Sequence, residues 1–378
     1  MTTSSPSSDT LPAFLRQSKS EIKAKFVDLE WAQRERLLQG TQQPASRDAS
    51  TTPSKWARLT GDAITSRNRY LNVEPYAANR VRLRVPEGLN DYINASPITL
   101  GKRRYIATQG PKDTSVAHFY RMLAEELRGQ GRAVVVMLTQ THEAGKEKCF
   151  QYYPLSEADS PMELSEEDGW AAEVALESVE EDAETRSEIR RMRLRVRQRM
   201  ADSAAGPGAE QNDETGEEGH GTTVGINGAE GQEETQELEI HHLLFSGWPD
   251  FLIPEGDDRA ALLNLIALSA KLNASTSPAQ PNGHPTPLLT DQSSPRIIHC
   301  SAGVGRSGTF IAIDYLMSLL KAGELDGVGE ERDPIAEVVD ELRRQRMMMV
   351  QGESQFFFLY EVLREAMEAR GDGGQEGG

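Results

Sequence analysis

Cysteine is nearly missing from this chain: its 378 residues hold only Cys149 and Cys300. The two lie far apart and form no Cys-x-x-Cys pair, which excludes a disulfide framework and leads us to expect a reducing compartment. Long apolar runs are missing too. None approaches the ~20 residues that a membrane span needs, and the opening MTTSSPSSDT has no apolar core of a signal peptide. The expectation is a soluble chain in the cytoplasm, with the nucleus also open to it. Positive charge is in deficit, with 41 Lys+Arg against 59 Asp+Glu, a formal −18. That balance argues against a nucleic-acid binder and leaves room for a local phosphate site. Metal-ligand patterns are absent as well. No HExxH occurs, and His241 and His242, adjacent in an expected strand, point to opposite faces and cannot readily share an ion. No metal or other cofactor is implied.

The acid is concentrated. Between Leu155 and Ile240 there are 24 acidic and 7 basic residues, so nearly all the net charge lies there. Within that stretch, residues 201–236 are rich in Gly, Glu, Ala and Asp without periodicity and read as an acidic, unstructured insertion on a hairpin turn. A second insertion, residues 273–294, is rich in Ser, Pro and Thr. Residues 1–12 read as a disordered N-terminus and residues 371–378 as a flexible tail. One domain is expected between them, over residues 13–370.

Periodicity places the elements. Ala133–Leu138 (AVVVML) is an apolar run of strand length, buried on both faces. From Ile189 to Arg199, Met192, Leu194 and Val196 alternate with Arg191, Arg193, Arg195 and Arg197, the pattern of a half-buried strand with a basic, solvated outer face. Leu238–Phe245 resumes a strand. Apolar positions from Ala13 to Leu38 suggest a helix broken near Gly40. Asp333 and Pro334 form an N-cap and first-turn pair, and a last helix is expected from Gln355 to Met367.

The densest information lies in RIIHCSAGVGRSGTF, Arg296 to Phe310. Apolar residues, then a glycine-bearing loop, then an apolar periodic run read as strand, tight loop and helix. Such a loop aims backbone N–H groups inward at a helix N-terminus, forming an anion cradle. The same field favours a thiolate at Cys300. Arg306 adds a planar fork of donors matched to two phosphate oxygens. A thiolate and a guanidinium at one oxyanion site suggest phosphoryl transfer to sulfur.

HCSAGVGRSGTF resembles the signature loop of the cysteine-dependent protein tyrosine phosphatases of the non-receptor type. The resemblance runs from about Lys55 to Arg364, outside the two insertions, and rests on six segments in the family's order. It implies an α/β domain with a twisted mixed sheet flanked by helices. Carried over residue by residue, it makes Cys300 the nucleophile. Ser301, Ala302, Gly303, Val304, Gly305 and Arg306 become the phosphate cradle, and Ser307 the donor to the leaving thiolate, with His299 supporting the loop. FSGWPDF resembles the mobile acid loop, with Asp250 as general acid and then base and Trp248 and Pro249 as its hinge packing. SRNRYLNVEPYAANRVRL resembles the phosphotyrosine recognition loop. Tyr70 there lines a slot too deep for phosphoserine, and Asn72 stands where many members carry an aspartate that contacts the peptide backbone. DYINAS and ATQGP are further family-like segments of structural character.

KCFQYYP makes Lys148, with Glu143, the pair supporting the acid loop and Cys149 a structural residue. QRMMMVQGESQ resembles the glutamine loop, where Gln351 positions the hydrolytic water and Gln355 binds phosphate or water. Met348 replaces a glycine found in some members, which disfavours a second phosphotyrosine pocket. The implied activity is hydrolysis of phosphotyrosine in proteins. A dual-specificity or lipid phosphatase is the rival in the same class, opposed by the Tyr70 loop. An inactive phosphotyrosine-binding module is the other, opposed by the presence of Cys300, Arg306 and Asp250.

Overall fold

The structure is a computed structural model that describes residues 11–43, 53–199, 233–250, 252–274, 292 and 294–373. In chain order it comprises α1 (Lys19–Gln42), α2 (Asp62–Thr65), β1 (Ala95–Leu100), β2 (Arg103–Thr108), α3 (Val116–Glu126), β3 (Arg132–Met137), β4 (His142–Glu143), β5 (Lys146–Glu147), β6 (Met162–Ser165), β7 (Trp170–Asp182), β8 (Ser187–Arg199) and β9 (Glu233–Phe245). After these come α4 (Asp257–Asn273), β10 (Arg296–His299), α5 (Gly305–Lys321), α6 (Pro334–Gln345) and α7 (Glu353–Gly373). Eight strands form one mixed sheet in the order β1-β2-β10-β3-β9-β8-β7-β6, with β4 and β5 as a separate ribbon.

The four strands β2, β10, β3 and β9 run parallel, and antiparallel strands extend the sheet on both sides. Parallel strands need cover on both faces, and the apolar run of β3 supplies it by alternation. Val134 and Val136 pack with α4, α5 and α7, whereas Val135 and Met137 pack with α3. Because β10 follows β9 in sequence yet sits between β2 and β3, the chain crosses over at that point. In sheets of this kind the crevice outside the carboxyl ends of the parallel strands is the natural ligand site. The segments after β2, β3, β9 and β10 all emerge there.

Strand β8 carries its arginines outward as expected, and they are matched. Arg195 pairs with Glu173 and Glu237, Arg193 with Glu177 and Glu237, and Arg197 with Glu173. Carboxylates on both neighbouring strands neutralise the basic stripe, leaving it no spare field for a polyanion.

Several boundaries differ from the sequence-based expectation. Helix α1 starts at Lys19 rather than Ala13, because Ser18 and Glu21 form a reciprocal capping box. It also runs through Gly40 instead of breaking there. A Cβ on Gly40 would lie 2.2 Å from the Trp56 carbonyl oxygen, so the glycine serves a close approach and not a stop. Leu11, inside the expected disordered terminus, packs against the core, while residues 1–10 lie outside the described residues. The acidic insertion was expected through residue 236, yet β9 begins at Glu233 and pairs with β8 from Arg199↔Glu233 onward; residues 201–232 lie outside the described residues. At the second insertion, Asn273 ends α4, and Gln292 is buried, donating to Ala270 O at 3.0 Å and accepting from Asn273. The remainder, residues 275–291 and 293, lies outside the described residues. Helix α7 continues to Gly373, three residues into the expected tail. Among the described residues no helix is long and apolar enough to cross a membrane.

Candidate active site

Strand β10 ends at His299, and the loop of Cys300–Val304 turns into the first residues of α5. Gly303 has φ +71°, and a Cβ there would fall 2.1 Å from the Thr108 carbonyl oxygen. Only glycine satisfies both the left-handed backbone and that contact. The turn brings the Gly303 N–H to 3.3 Å from Cys300 Sγ. Cys300 is 3% exposed. Burial works against its negative charge, but the Arg306 guanidinium, with hydrogen bonds from Ser307 and the Gly303 N–H, outweighs it and holds the thiol below its ordinary pKa. Ser307 Oγ is buried without a geometric hydrogen-bond partner among the described residues, and its hydroxyl is among the groups that lower the Cys300 pKa. Cys149, by contrast, is pushed well up by burial, and both cysteines are free.

His299 is fully buried, and burial pushes its pKa down to about 4. Its Nδ1 lies 3.2 Å from the Cys300 carbonyl oxygen, so Nδ1 carries the proton. Nε2 must then accept from Tyr152 OH at 2.7 Å, and Tyr152 in turn accepts from His242 Nε2 at 2.8 Å. Neutral His299 thus braces the loop backbone without adding charge to the site. His241 faces the other way, toward Glu239.

Arg306, 3% exposed, is gripped from two sides. Glu143 takes both arms of its fork at 2.6 and 3.1 Å, and Trp248 O accepts from it at 3.0 Å. Its second arm also reaches Asp250 Oδ1 at 3.1 Å, while Lys148 binds the other Asp250 oxygen. Burial opposes the charge on Lys148, and Asp250 more than offsets it. The Glu143 and Lys148 singled out in the sequence therefore do different things: one orients the guanidinium, the other the acid-loop carboxyl. Trp248 is buried, and its Nε1 donates to Leu252 O at 3.0 Å across the turn that contains Pro249.

Tyr70 stands at the mouth with its hydroxyl 2.8 Å from Ser301 Oγ. Its loop is fixed by the flanking family-like segments. Asn68 accepts from Tyr92 OH and from Asn94 at 2.7 and 2.9 Å. Arg69 donates to Gly110 O and Pro111 O at 3.1 and 2.7 Å, and its N–H donates to Gln109 at 2.8 Å. Tyr70, Asn72, Lys148, Asp250, Cys300, Ser301, Ala302, Gly305, Arg306, Gln351 and Gln355 together line one open cleft of about 540 Å³. Asn72 is exposed at its rim. Gly303, Val304 and Ser307 lie behind the cleft wall.

Two arginines escaped the sequence reading. Arg346, fully buried, donates to Gly303 O at 2.9 Å, Ala302 O at 3.1 Å and Asn94 Oδ1 at 2.7 Å. Burial pushes it down to about 10, and the Cys300 charge is among the groups that resist this. Arg343 donates to Met349 O and Val350 O, each at 3.0 Å. Arg343 lies outside the family-like segments, and Arg346, although it stands at the start of QRMMMVQGESQ, has no role assigned there by the resemblance; an arginine on a helix end ordinarily reads as solvated.

The family model for protein-tyrosine phosphatases matches residues 64–205 and 209–365. The chain belongs to that family. Tyrosine-protein phosphatase 2 of Schizosaccharomyces pombe is 32% identical over 82% of this chain and 35% of its own length. Tyrosine-protein phosphatase 1 of Saccharomyces cerevisiae is 29% identical over 93% of this chain and 96% of its own length. The chain thus spans about a third of the first relative and nearly all of the second. The solved catalytic domain of human protein tyrosine phosphatase non-receptor type 18 superposes with a TM-score of 0.61 at 22% identity, covering 94% of this chain and 99% of that one. The shared fold is the mixed sheet with flanking helices described above.

Proposed function

We propose that this chain hydrolyses phosphotyrosine in proteins through a cysteinyl-phosphate intermediate, with residues 13–370 acting as one catalytic domain. The observation that carries the reading is the meeting, in a single cleft walled by Tyr70, of a thiolate-prone Cys300, the Arg306 fork and the Asp250 carboxyl. In the first half-reaction the Cys300 sulfur attacks phosphorus. The S–P bond forms, the P–O bond breaks, and protonated Asp250 gives its proton to the departing phenolic oxygen. The N–H groups of the Ser301–Gly305 loop and the Arg306 guanidinium take the charge on the phosphoryl oxygens.

In the second half-reaction Asp250 removes a proton from a water oriented by Gln351 and Gln355. The water oxygen attacks phosphorus, the S–P electron pair returns to sulfur, and Ser307 donates to the restored thiolate. No metal or cofactor enters the scheme. The free cysteines support a reducing, cytoplasmic setting, and the partners are phosphotyrosine-bearing proteins.

The test compares hydrolysis of matched phosphotyrosine and phosphoserine peptides and a soluble phosphoinositide, without added metal. Phosphotyrosine should dominate, and Cys300→Ser should abolish turnover while leaving anion binding largely intact. Appreciable turnover by Cys300→Ser, or a divalent-metal requirement, overturns the mechanism. Comparable phosphoinositide turnover replaces the substrate class.

A further inference from the structure

Gln33 lies midway along α1, more than three hundred residues from the glutamine loop, yet its 4%-exposed side chain reaches that loop. Its Oε1 accepts from the Met348 N–H at 3.2 Å, and its Nε2 lies 3.1 Å from Tyr76 OH. Tyr76 OH lies 3.2 Å from the Arg343 carbonyl oxygen. A backbone N–H can only donate and a carbonyl can only accept. The direction of the whole chain is therefore fixed: Met348 N–H to Gln33, Gln33 amide to Tyr76, Tyr76 hydroxyl to Arg343. Tyr76 belongs to the segment carrying Tyr70, so one buried amide joins the recognition loop to the glutamine loop.

The segment it holds is strained. Met348 and Val350, neither a glycine, sit at φ +61° and +55°, a conformation kept only where surrounding contacts over-determine it. Val350 has three of them: its N–H reaches Val304 O at 3.1 Å, and Arg343 takes the carbonyls of Met349 and Val350. At Met348, the N–H has Gln33. Gln351 follows directly, and its side chain lines the cleft.

We infer that Gln33 is a positioning residue for the second half-reaction, setting the place of Gln351 through the Met348 backbone. This rests on the proposed two-step reading, in which Gln351 orients the hydrolytic water. Removing the acceptor lets Met348 relax toward an unstrained backbone and carries Gln351 with it. Cys300 follows β10, Arg306 lies on α5 and Asp250 follows β9, and the bonds that Arg346 and the Val350 N–H make to the Cys300 loop do not pass through Gln33, so formation of the cysteinyl phosphate is unaffected.

The experiment is stopped-flow release of nitrophenolate from p-nitrophenyl phosphate by wild type, Gln33→Met, Gln33→Glu and Gln351→Ala. Gln33→Met keeps the shape and loses both polar atoms. It should lower kcat about five- to tenfold, the scale of one lost hydrogen bond, leave kcat/KM within twofold of wild type, and show a burst approaching one nitrophenolate per enzyme. Gln33→Glu retains an acceptor for the Met348 N–H and should recover much of kcat. An equal fall of kcat and kcat/KM without a burst means general damage to the site and overturns the inference, as does an unchanged kcat. Gln351→Ala separates the two levels. If it shows no burst, the role given to Gln351 fails and takes this inference with it; if it bursts and Gln33→Met does not, only the inference fails.

Discussion

At the scale of single residues, the site is a balance between burial and charge that pH can read. Cys300 is held below its ordinary value, so alkylation of the native protein should rise at a pH clearly lower than the ~8.5 of a free thiol. Labelling that tracks the ordinary thiol pKa contradicts the electrostatics described for Arg306 and Ser307. The two buried histidines give a second pH signature. His299 falls to about 4 and His242 well below its ordinary value, both through burial. Between the unfolded value near 6.5 and the folded one, the unfolded chain binds protons that the native state refuses. Stability is therefore full above about pH 6.5 and is lost as pH falls, by roughly 1.4 kcal/mol per pH unit for each such group. Thermal melts between pH 7 and 4.5 should show this slope, and His242→Asn should flatten it.

Asn72 belongs to the same scale. It is exposed on the rim, where a carboxylate would accept charge-assisted bonds from a bound peptide backbone. Asn72→Asp should raise kcat/KM on phosphotyrosine peptides roughly three- to thirtyfold and barely change it on p-nitrophenyl phosphate. Equal gains on both substrates would place the effect in the chemistry rather than in docking.

At the scale of elements, the ladder of ion pairs across β7, β8 and β9 looks strong and should contribute little. Arg195 and Glu237 are about half exposed, and exposed pairs typically contribute 0–1 kcal/mol each. Arg195→Ala should move the melting temperature by only a degree or two, with the shift shrinking further in high salt. A larger, salt-insensitive loss would mean that the aliphatic stem of Arg195 packs on the sheet. The turn Cys300–Arg306, from the loop into the first residues of α5, is the opposite case, small and intolerant. Its legibility in the sequence has the same origin as its intolerance. Glycines, cysteine and arginine act there through local backbone geometry, so residue type and spacing alone carry the message. Gln33 and Arg346 act through partners far away in the chain, and Arg343 through the carbonyls of a strained turn just beyond its helix; residue type and spacing do not announce these roles. The helix ends were misread for a related reason. Gly40 is a stop signal by propensity, and only the Trp56 carbonyl beside it explains why the helix runs on.

At the scale of the whole molecule, α/β class and site composition were readable because a buried parallel strand and a catalytic loop both leave local marks. Strand order was not, since it depends on which strands meet. The edges of the insertions were blurred because composition changes gradually while hydrogen-bond pairing starts abruptly, as at Glu233. That boundary sharpens a deletion test. Replacing residues 201–232 with a short glycine-containing turn should leave the melting temperature and activity on small aryl phosphates nearly unchanged, since so polar a segment lacks the apolar area to offset its chain entropy. Extending the deletion through 236 removes ladder partners of β8 and should lower the melting temperature.

The place of β10 has a consequence for how the site comes into being. Its neighbours β2 and β3 are made about 190 and about 160 residues earlier in the chain. During synthesis they are on hand long before the strand that must separate them. Should they zip together first, that pairing has to be undone, and contacts of such sequence separation form slowly in any case. The sulfur then acquires its reactivity late, when β10 slots between its neighbours and delivers Cys300 to the loops waiting at its end. A chain caught before that step carries an ordinary thiol. In refolding from denaturant, selective alkylation of Cys300 at neutral pH should therefore lag behind recovery of helical circular dichroism.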